Sequence, residues 1–539
     1  MRDFWSHMDP IARRRLPCIV FIFFLSFGGN WLWSLIAGIP HPHYFDEFSY
    51  LLAGDTFAHG RLTNPTHPMW MHFETFFEIQ QPTYMSMYPP GQGLFLALGQ
   101  VLFGHPIYGV WLSCGLMCAA ISWMLYAWLP PRWALIGGIV AVMQFGVFTY
   151  WSQSYWGGAV AALGGALVFG ALPRILKYQR TTDALWLGLG CAIIANSRPL
   201  EGFLVAIPVG CLVLPWKNRD RHYLLKKIVS VPILLPLAVV LLVTVVGMGA
   251  YNKAITADAK LFPHVLRDHT SRSVPAFIFE PLPKAPRFDH PLLAAYDQHF
   301  PRKHYFYKRT WDGFWESLLA DSYQMLAFFF WYPLGIPSIG VLVIFMRRRP
   351  WPFILASLLV LLMLAVTIYD MKPHYLAPLT CVVVWMVTIG LRALCLLESP
   401  QIKIGLILAM VLMAVQLTLN IVLTSTSSQE RSWGRLLQAS IQVPGSFGRE
   451  DLKNMLERRG GKYLVIVSYP PKHNILLEWV FNDADIDHAP IVWARDMGPQ
   501  HNQELLDYFK DRQVLWIDVY RDDPYPGAAY DIRQRWLVF

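Results

Sequence analysis

The fold is decided by an apolar run, residues 16–38 (LPCIVFIFFLSFGGNWLWSLIAG), which is followed at once by the acidic stretch 41–55 (HPHYFDEFSYLLAGD). A run of about 20 apolar residues is long enough to cross a bilayer as one helix. The arginines Arg13–Arg15 precede it, and basic residues favour the cytoplasmic side. No small-residue cleavage site follows. The sequence therefore predicts an uncleaved first helix with a cytoplasmic N-terminus, and Asp46 and Glu47 on the opposite side.

The composition indicates a polytopic membrane protein. The chain has 539 residues, of which 55% are hydrophobic and only 15% charged, and this is too apolar for a soluble globular protein. The net charge of +9 does not indicate nucleic-acid binding, because the basic residues form short clusters between apolar runs and no binding motif is present. The seven cysteines lie in or beside apolar runs, where a thiol behaves as a small hydrophobe, so no disulfide framework is implied.

Apolar runs alternate with basic clusters along most of the chain, and this alternation predicts about eleven transmembrane helices with the C-terminus outside. Two intervening stretches, 40–92 and 251–322, are long, polar and rich in His, Pro and aromatic residues, which is typical of functional loops. A shorter apolar piece covers Gly93–Phe103. The predicted spans are 16–38, 106–129, 134–150, 156–173, two within 183–216, 228–250, 323–346, 351–369, 376–397 and 402–424.

The composition becomes that of a soluble domain near residue 425. We therefore divide the chain into a transmembrane domain, 1–424, and a small extracytoplasmic α/β domain, 425–539. The second domain has no nucleotide-binding glycine motif. We therefore expect it to bind a substrate of the transmembrane domain, as an acceptor, or a partner protein, rather than to catalyse. Its predicted elements are strands at 463–468, 489–494 and 514–519 and an amphipathic helix at 500–511.

Asp46 is predicted to lie in the first turn of a helix that runs to about His59, where the helix dipole favours an ionised carboxylate. On that helix Asp46 shares a face with Tyr50, whereas Asp55, nine residues on, points to the opposite side. The two aspartates are therefore not a carboxylate pair on one face. An acidic residue at a helix start is common, so a purely structural role stays open. The position beside the membrane favours a site that meets the polar end of a lipid-borne substrate.

Two motifs resemble the GT-C superfamily of glycosyltransferases, in the group of the protein O-mannosyltransferases and the lipid A aminoarabinose transferases. Asp46-Glu47-Phe-Ser-Tyr50 resembles the acidic pair that follows the first helix in that group. Tyr88-Pro89-Pro90 leads into an apolar segment that ends at Phe103-Gly104, as it does in relatives. With the helix count and the two outer loops, the resemblance covers roughly the first 400 residues.

The resemblance implies a polytopic all-α fold with an α/β domain at its C-terminus and an inverting glycosyltransferase. The donor would be a polyprenyl-phosphate-linked sugar and the acceptor a hydroxyl on a glycan, lipid or protein. It implies a prokaryotic inner membrane, with the reaction on its outer side and no nucleic-acid partner. Asp46 would act as catalytic base with Glu47 in support. Relatives carry a basic residue before the Pro-Pro pair, where this chain has Met87-Tyr88.

The phosphate of such a donor needs cationic or hydrogen-bonding partners, so other outer residues must supply them. Two alternatives stay open: Arg198 could simply pair with Glu201, three residues on, and Lys372 and Tyr375 could be interfacial anchors. The predicted substrate-binding residues are Tyr50, Tyr88, Arg198, Glu201, Lys372, His374 and Tyr375.

No metal site is predicted, although His67, His72, Glu74 and Glu78 lie in the first outer loop. Their spacing matches no defined ligand pattern and favours solvated loop residues. If the enzyme does use Mg²⁺ or Mn²⁺, Glu74 and His72 together with Asp46 are the expected ligands.

Two other functions stay open. A transporter or lipid flippase would need polar residues deep in several spans, whereas the ionisable residues here lie mostly at outer ends and in loops. A polymer ligase or phosphotransferase that uses the same lipid carrier would favour a centre at Arg198 and His374 over Asp46.

Overall fold

A computed structural model describes residues 9–42, 44–202, 230–271, 274–284, 290–330, 350–368, 372–396, 448–470 and 478–519. The described part of the chain is mostly helical and also contains two small sheets. It divides into two compact units, each built from separated segments. The first unit contains Met1–Ile39, Ile107–Gly247 and Trp311–Gln442, and the second contains Pro40–Pro106, Met248–Thr310 and Val443–Phe539.

The helices have the following bounds. They are α1 Arg15–Ala37, α2 Phe45–Ala58, α3 Pro90–Phe103, α4 Ile107–Trp128, α5 Pro131–Ala141, α6 Ala159–Tyr178, α7 Thr181–Ala195, α8 Val231–Thr256, α9 Pro263–Ser271, α10 Pro291–Lys308, α11 Trp311–Phe329, α12 Pro350–Val366, α13 Thr380–Leu396, α14 Arg449–Arg459 and α15 Pro499–Tyr508. Short 3₁₀ helices cover Trp70–Phe73 and Pro373–Leu379, and a π-helical turn covers Val142–Gly146.

Within the described part of the chain, five helices are long and apolar enough to cross a membrane: α1, α4, α6, α8 and the continuous helical stretch Pro373–Cys395. Only 22% of the apolar window of α1 and 6% of that of α8 is buried inside the protein. A helix that is apolar on all sides and is not covered by other parts of the protein requires an apolar solvent. The composition and exposure of α1 and α8 are therefore consistent with contact with lipid.

The predicted eleven spans are not confirmed. Three of the corresponding helices are shorter than a full span, because α5 has 11 residues, α7 has 15 and α12 has 17. The predicted span 402–424, most of 323–346 and the second span within 183–216 lie outside the described residues. The predicted second outer loop, 251–322, contains α9, α10 and the beginning of α11 at Trp311, and its bounds stay a prediction.

The predicted span 134–150 is interrupted after Ala141, and α1 bonds to its backbone at Gly146. Ser26 and Asn30 on α1 both donate hydrogen bonds to the carbonyl of Gly146, at 2.9 and 2.6 Å. A Cβ at Gly146 would lie 2.8 Å from Ser26 Oγ, so only glycine allows this approach. The helix therefore passes into a π-helical turn, a form that is often found at functional sites.

Close packing of small residues fixes the 3₁₀ helix Pro373–Leu379 against α6. A Cβ at Gly165 would lie 2.0 Å from the carbonyl oxygen of Pro378, so this contact requires glycine. Small residues permit such backbone approach in helices packed within lipid. The contact positions His374 and Tyr375, which belong to the same 3₁₀ helix.

The second unit contains both sheets. In the stretch 40–92, β1 (Asn64–Pro65), β3 (Thr83–Ser86) and β2 (Glu78–Ile79) pair in that order and are antiparallel. The C-terminal sheet is parallel and has the order β5 (Ile491–Arg495), β4 (Tyr463–Ser468), β6 (Gln513–Asp518). The three predicted C-terminal strands are thus confirmed to within two residues. The predicted helix 500–511 corresponds to α15, and α14 begins the described part of this region.

Residues of the stretch 40–92 and of the C-terminal sheet share one hydrophobic core. Leu52 of α2 packs in a buried cluster with Leu464 and Ile466 of β4. Phe48 stacks on Phe481 with ring centroids 3.9 Å apart and an interplanar angle of 2°. Both rings are buried in this contact, so it removes apolar surface from water. The C-terminal sheet therefore forms part of the support of α2. The predicted domain boundary between residues 424 and 425 lies outside the described residues and stays a prediction.

Candidate functional site

The first turn of α2 presents Asp46. Tyr44 is the residue that precedes the helix, in an extended conformation, and its backbone N–H donates to Oε2 of Glu47 at 3.1 Å. Glu47 occupies the third helical position and is fully buried, whereas Asp46 is half-buried. A carboxylate at this position satisfies one of the backbone donors that a helix start leaves unpaired. Glu47 therefore fixes the start of the helix that carries Asp46.

Asp46 accepts a hydrogen bond at Oδ1 from the hydroxyl of Tyr88. The ring of Tyr88 stacks on that of Tyr50, with centroids 4.3 Å apart and an interplanar angle of 19°. The structure thus brings together all four of the predicted site residues that lie in the first outer loop: Asp46, Glu47, Tyr50 and Tyr88.

The backbone around Tyr88 is held on both sides. Its N–H donates to Oγ of Ser86 at 3.1 Å, and Ser86 Oγ lies 2.8 Å from Oγ of Ser49 on α2. Its carbonyl accepts a hydrogen bond from the hydroxyl of Tyr251 at 3.2 Å. Because the hydroxyls of Ser49 and Ser86 join α2 to β3, the strand that precedes Tyr88, the positions of Tyr88 and Asp46 relative to each other are fixed. Sequence spacing gave no sign of the Ser49 and Tyr251 contacts.

Asp55 has a separate, structural role. Its Oδ1 accepts a hydrogen bond from Nε2 of Gln100 on α3 at 2.9 Å, and its Oδ2 accepts one from the backbone N–H of Ala484 at 2.8 Å. Nine residues of helix place it about 13 Å from Asp46 along the axis. The prediction that the two aspartates do not form a pair on one face agrees with these contacts.

The prediction that the loop residues His67, His72, Glu74 and Glu78 are solvated is wrong for three of them. His67, His72 and Glu78 are 7%, 2% and 3% exposed, and Glu74 is half-buried. The cause is the C-terminal region, which the loop sequence does not contain: Nε2 of His67 lies 3.1 Å from Oδ1 of Asp487, and Nδ1 of His72 lies 3.0 Å from the carbonyl oxygen of Arg495.

Burial shifts the ionisation of these loop residues. Loss of hydration is the largest effect on both histidines, and it lowers the pKa of His67 and of His72 although their hydrogen bonds act in the opposite direction. Burial also raises the pKa of Glu78 well above its usual value, and the nearby charge of Glu478 adds to that increase. These groups form a buried support rather than a solvated surface.

The described residues offer no metal site. No group of three or more His, Cys, Asp or Glu side chains in the described ranges could hold a metal ion. The conditional ligand set of Asp46, His72 and Glu74 therefore does not form there. One ring nitrogen of His72 is already occupied by the contact to the Arg495 carbonyl.

The remaining predicted site residues gather in the first unit. Arg198 lies beyond the C-terminal end of α7, and its Nη1 is 3.7 Å from Oε1 of Glu201, so the structural alternative of an ion pair is present. Its guanidinium also lies over the ring of Tyr375, 4.7 Å from the centroid. A guanidinium that contacts both a carboxylate and an aromatic face is held in one orientation.

His374 is the most enclosed of these residues, with 3% of its surface exposed. Its Nδ1 lies 3.0 Å from the hydroxyl oxygen of Tyr150, and its backbone N–H donates to the same oxygen at 3.0 Å. Its ring stacks on Tyr375, with centroids 4.8 Å apart, and packs beside Trp156, with centroids 5.5 Å apart. Lys372 directly precedes this 3₁₀ helix and is half-buried.

Tyr150 and Trp156 were not among the predicted site residues. They lie at the facing ends of the predicted spans 134–150 and 156–173 and bound the stretch YWSQSYW, residues 150–156. The signal that could have identified them is the density of aromatic and hydroxyl side chains in so short a link. In the second outer loop, Arg267 is 6% exposed and Lys308 is fully buried.

The predicted site residues therefore form two groups, one in each compact unit. The outer-loop group is Asp46, Glu47, Tyr50 and Tyr88. The group of the first unit is Arg198, Glu201, Lys372, His374 and Tyr375, which Tyr150 and Trp156 extend.

Comparison of the sequence with protein-family models finds no match, and comparison with curated proteins finds none of significant similarity.

Proposed function

We propose that the protein is an integral-membrane glycosyltransferase that moves a sugar from a polyprenyl-phosphate donor to an acceptor hydroxyl, with Asp46 as the catalytic base. The observation that carries the proposal is the hydrogen bond from the Tyr88 hydroxyl to Asp46. A helix-start acid with only a capping role would bond to its own helix, and Glu47 does so. Asp46 instead points to a tyrosine of the Pro-Pro motif, so both motifs of the resemblance meet at one carboxylate.

The proposed reaction is a single displacement at the anomeric carbon of the donor sugar. The acceptor oxygen forms the new bond to that carbon while the bond from the carbon to the lipid phosphate oxygen breaks, and Asp46 takes the acceptor proton. Attack and departure on opposite faces give inversion. The lipid phosphate leaves with the electron pair. General-base assistance of this kind contributes about 10²- to 10⁴-fold to the rate.

Tyr88 has a positioning role in this proposal. A hydroxyl that donates to one carboxylate oxygen fixes the plane of the carboxylate, because χ2 of an aspartate otherwise rotates over a broad range. The stacking of Tyr88 on Tyr50 and the hydrogen bond from its backbone to Ser86 hold that hydroxyl in place. Preorganisation of this kind lowers the cost of orienting the base in the transition state.

Arg198, Lys372 and His374 are proposed to bind the donor phosphate. Arginine and imidazole N–H groups make strong, charge-assisted hydrogen bonds to phosphate oxygens. The partial burial of Arg198, whose side chain is 13% exposed, supports this role because charges interact more strongly away from water. Glu201 and Tyr375 would then orient Arg198, as their contacts with it indicate.

A second candidate function is a polymer ligase or phosphotransferase that uses the same lipid carrier. The observation that favours it is the enclosed His374, which lies beside Tyr375 and the arginine over that ring. In that case His374 would carry the chemistry and Asp46 would not. A transporter is favoured by no contact among the described residues.

A comparison of surface glycans tests the proposal and separates the candidates. Cells that lack the protein are complemented with the wild type, with Asp46→Asn, or with the matched control Asp55→Asn. The control changes a carboxylate of the same helix. An asparagine oxygen can still accept from the Ala484 N–H, and the asparagine N–H₂ can donate to Gln100 once the glutamine amide is turned to present its oxygen. We expect one sugar modification to disappear with Asp46→Asn and to remain with Asp55→Asn. Its persistence with Asp46→Asn, at equal expression, would refute the assignment.

A further inference from the structure

The hydroxyl oxygen of Tyr150 lies within hydrogen-bond distance of two nitrogens of His374. The backbone N–H of His374 lies 3.0 Å from the tyrosine oxygen, and since a backbone nitrogen can only donate, that oxygen is the acceptor. The ring Nδ1 of His374 lies 3.0 Å from the same oxygen. The direction of this second bond depends on the tautomer of His374. When Nδ1 carries no hydrogen, the single proton of the Tyr150 hydroxyl can be donated to it while the oxygen accepts from the backbone, and both contacts are then satisfied.

The other ring nitrogen of His374, Nε2, is accessible. It has no hydrogen-bond partner among the residues that the structure describes, and it is not sealed from solvent although His374 as a whole is only 3% exposed. A ligand atom can therefore reach this nitrogen. The ring is flanked by Trp156 and Tyr375, and the guanidinium of Arg198 lies over Tyr375. A single open nitrogen in an aromatic enclosure close to a cation points to a bound anion.

We propose that Tyr150 holds His374 in the neutral tautomer with its hydrogen on Nε2, and that Nε2–H donates to a phosphate oxygen of a polyprenyl phosphate. The opposite tautomer would present the lone pair of Nε2 to the anion and repel it. Tyr150 is thus a positioning residue that acts through His374. The identity of the lipid rests on the proposed function, whereas the tautomer and the phosphate contact do not.

Nitrogen NMR tests the tautomer directly. The full-length protein is purified in detergent with ¹⁵N-labelled histidine, and subtraction of the His374→Phe spectrum identifies the signals of His374 among the 17 histidines. We expect Nδ1 without hydrogen and Nε2 with hydrogen in the wild type. In Tyr150→Phe the preference for this tautomer should be lost. Hydrogen on Nδ1 in the wild type, or signals that are unchanged in Tyr150→Phe, would overturn the inference.

Binding of farnesyl phosphate, a short polyprenyl phosphate, tests the ligand. His374→Phe keeps the ring shape and removes both nitrogens, so we expect its dissociation constant to rise about 10- to 100-fold, the loss of one hydrogen bond to a charged group. In His374→Gln the amide N–H₂ can replace the Nε2 donor, and we expect a smaller change. Thermal unfolding of each variant shows whether it is folded.

The controls separate the possible outcomes. Farnesol should not compete, and inorganic phosphate should compete more weakly than farnesyl phosphate. Equal competition by inorganic phosphate would show a free-phosphate site and refute the lipid. Unchanged affinity in folded His374→Phe would refute the contact. Near wild-type sugar transfer by Asp46→Asn, together with lost farnesyl phosphate binding in His374→Phe, would refute the proposed function and leave this inference standing.

Discussion

The hydroxyl of Tyr88 donates a hydrogen bond to Oδ1 of Asp46, which lies 42 residues earlier in the chain. The bond joins an acidic residue of the first turn of α2 to the residue that directly precedes a Pro-Pro pair. Its donor is held by stacking on Tyr50 and by Oγ of Ser86. This arrangement gives Asp46 a defined orientation, and its consequences can be measured.

Tyr88→Phe should move the acidic limb of the pH–rate profile to higher pH. Removal of the hydroxyl takes away a hydrogen bond to the ionised carboxylate, which becomes easier to protonate, so the active base form is lost at a higher pH than in the wild type. The measurement is kcat/KM for sugar transfer as a function of pH. Tyr84→Phe is the matched control, because the Tyr84 hydroxyl donates to the carbonyl of Asn482. A profile that shifts equally in both variants would contradict the positioning role.

Glu47 should be replaceable by glutamine but not by alanine. Its side-chain oxygen accepts the backbone N–H of Tyr44, and glutamine retains an oxygen at that position. We expect Glu47→Gln to keep most of the transfer activity. Glu47→Ala should lower the stability by about 1 to 2 kcal/mol, since it leaves the helix start unsatisfied and opens a cavity. Activity assays combined with thermal unfolding check both. If Glu47→Gln were as inactive as Asp46→Asn, a direct chemical role for Glu47 would be indicated instead.

Glu78→Gln should stabilise the protein at neutral pH and reduce the dependence of its stability on pH. Burial raises the folded-state pKa of Glu78 well above its usual value of 4.5, so the folded state holds a proton that the unfolded state has released. Wild-type stability therefore decreases as the pH rises above the unfolded-state pKa. Glutamine has no proton to lose. Thermal unfolding midpoints from pH 4 to pH 8 measure the difference. A steeper pH dependence in Glu78→Gln would contradict the burial effect.

Arg495→Met should be strongly destabilising, and Glu478→Leu should partly restore stability in the double variant. Nη1 of Arg495 and Oε2 of Glu478 are 2.6 Å apart, and both side chains are fully buried. Removal of one partner leaves an uncompensated buried charge, at a cost of about 3 to 5 kcal/mol, whereas replacement of both by apolar residues is often tolerated. A double-variant cycle of unfolding free energies checks this. Additive effects of the two changes would show that the residues are not coupled.

The sequence predicts well those elements whose physical signal is local. The strands around Tyr463, Ile491 and Val514 and the helix α15 appear within a few residues of their predicted places, because alternating or amphipathic patterns are set by the residues themselves. The start of α2 at Phe45 is equally local. In the same way, the ion pair between Arg198 and Glu201 follows from their spacing of three residues.

Contacts between distant segments could not be predicted. Burial of His67 and His72 depends on Asp487 and Arg495, more than 400 residues away. The predicted span 134–150 is interrupted after α5, where Asn30 bonds to the carbonyl of Gly146. A hydropathy pattern cannot predict this contact. The contact between Tyr150 and His374 spans 224 residues. In each case the deciding partner lies far along the chain, so no window of the sequence contains both residues.

The most direct test of the central claim uses purified protein in lipid vesicles with a polyprenyl-phosphate sugar and measures release of the polyprenyl phosphate with an acceptor present. The donor and the acceptor are first identified from the surface-glycan comparison. The account predicts a loss of about 10²- to 10⁴-fold in Asp46→Asn, with Asp55→Asn close to the wild type. Release by folded Asp46→Asn at near wild-type rate would show that Asp46 is not the base.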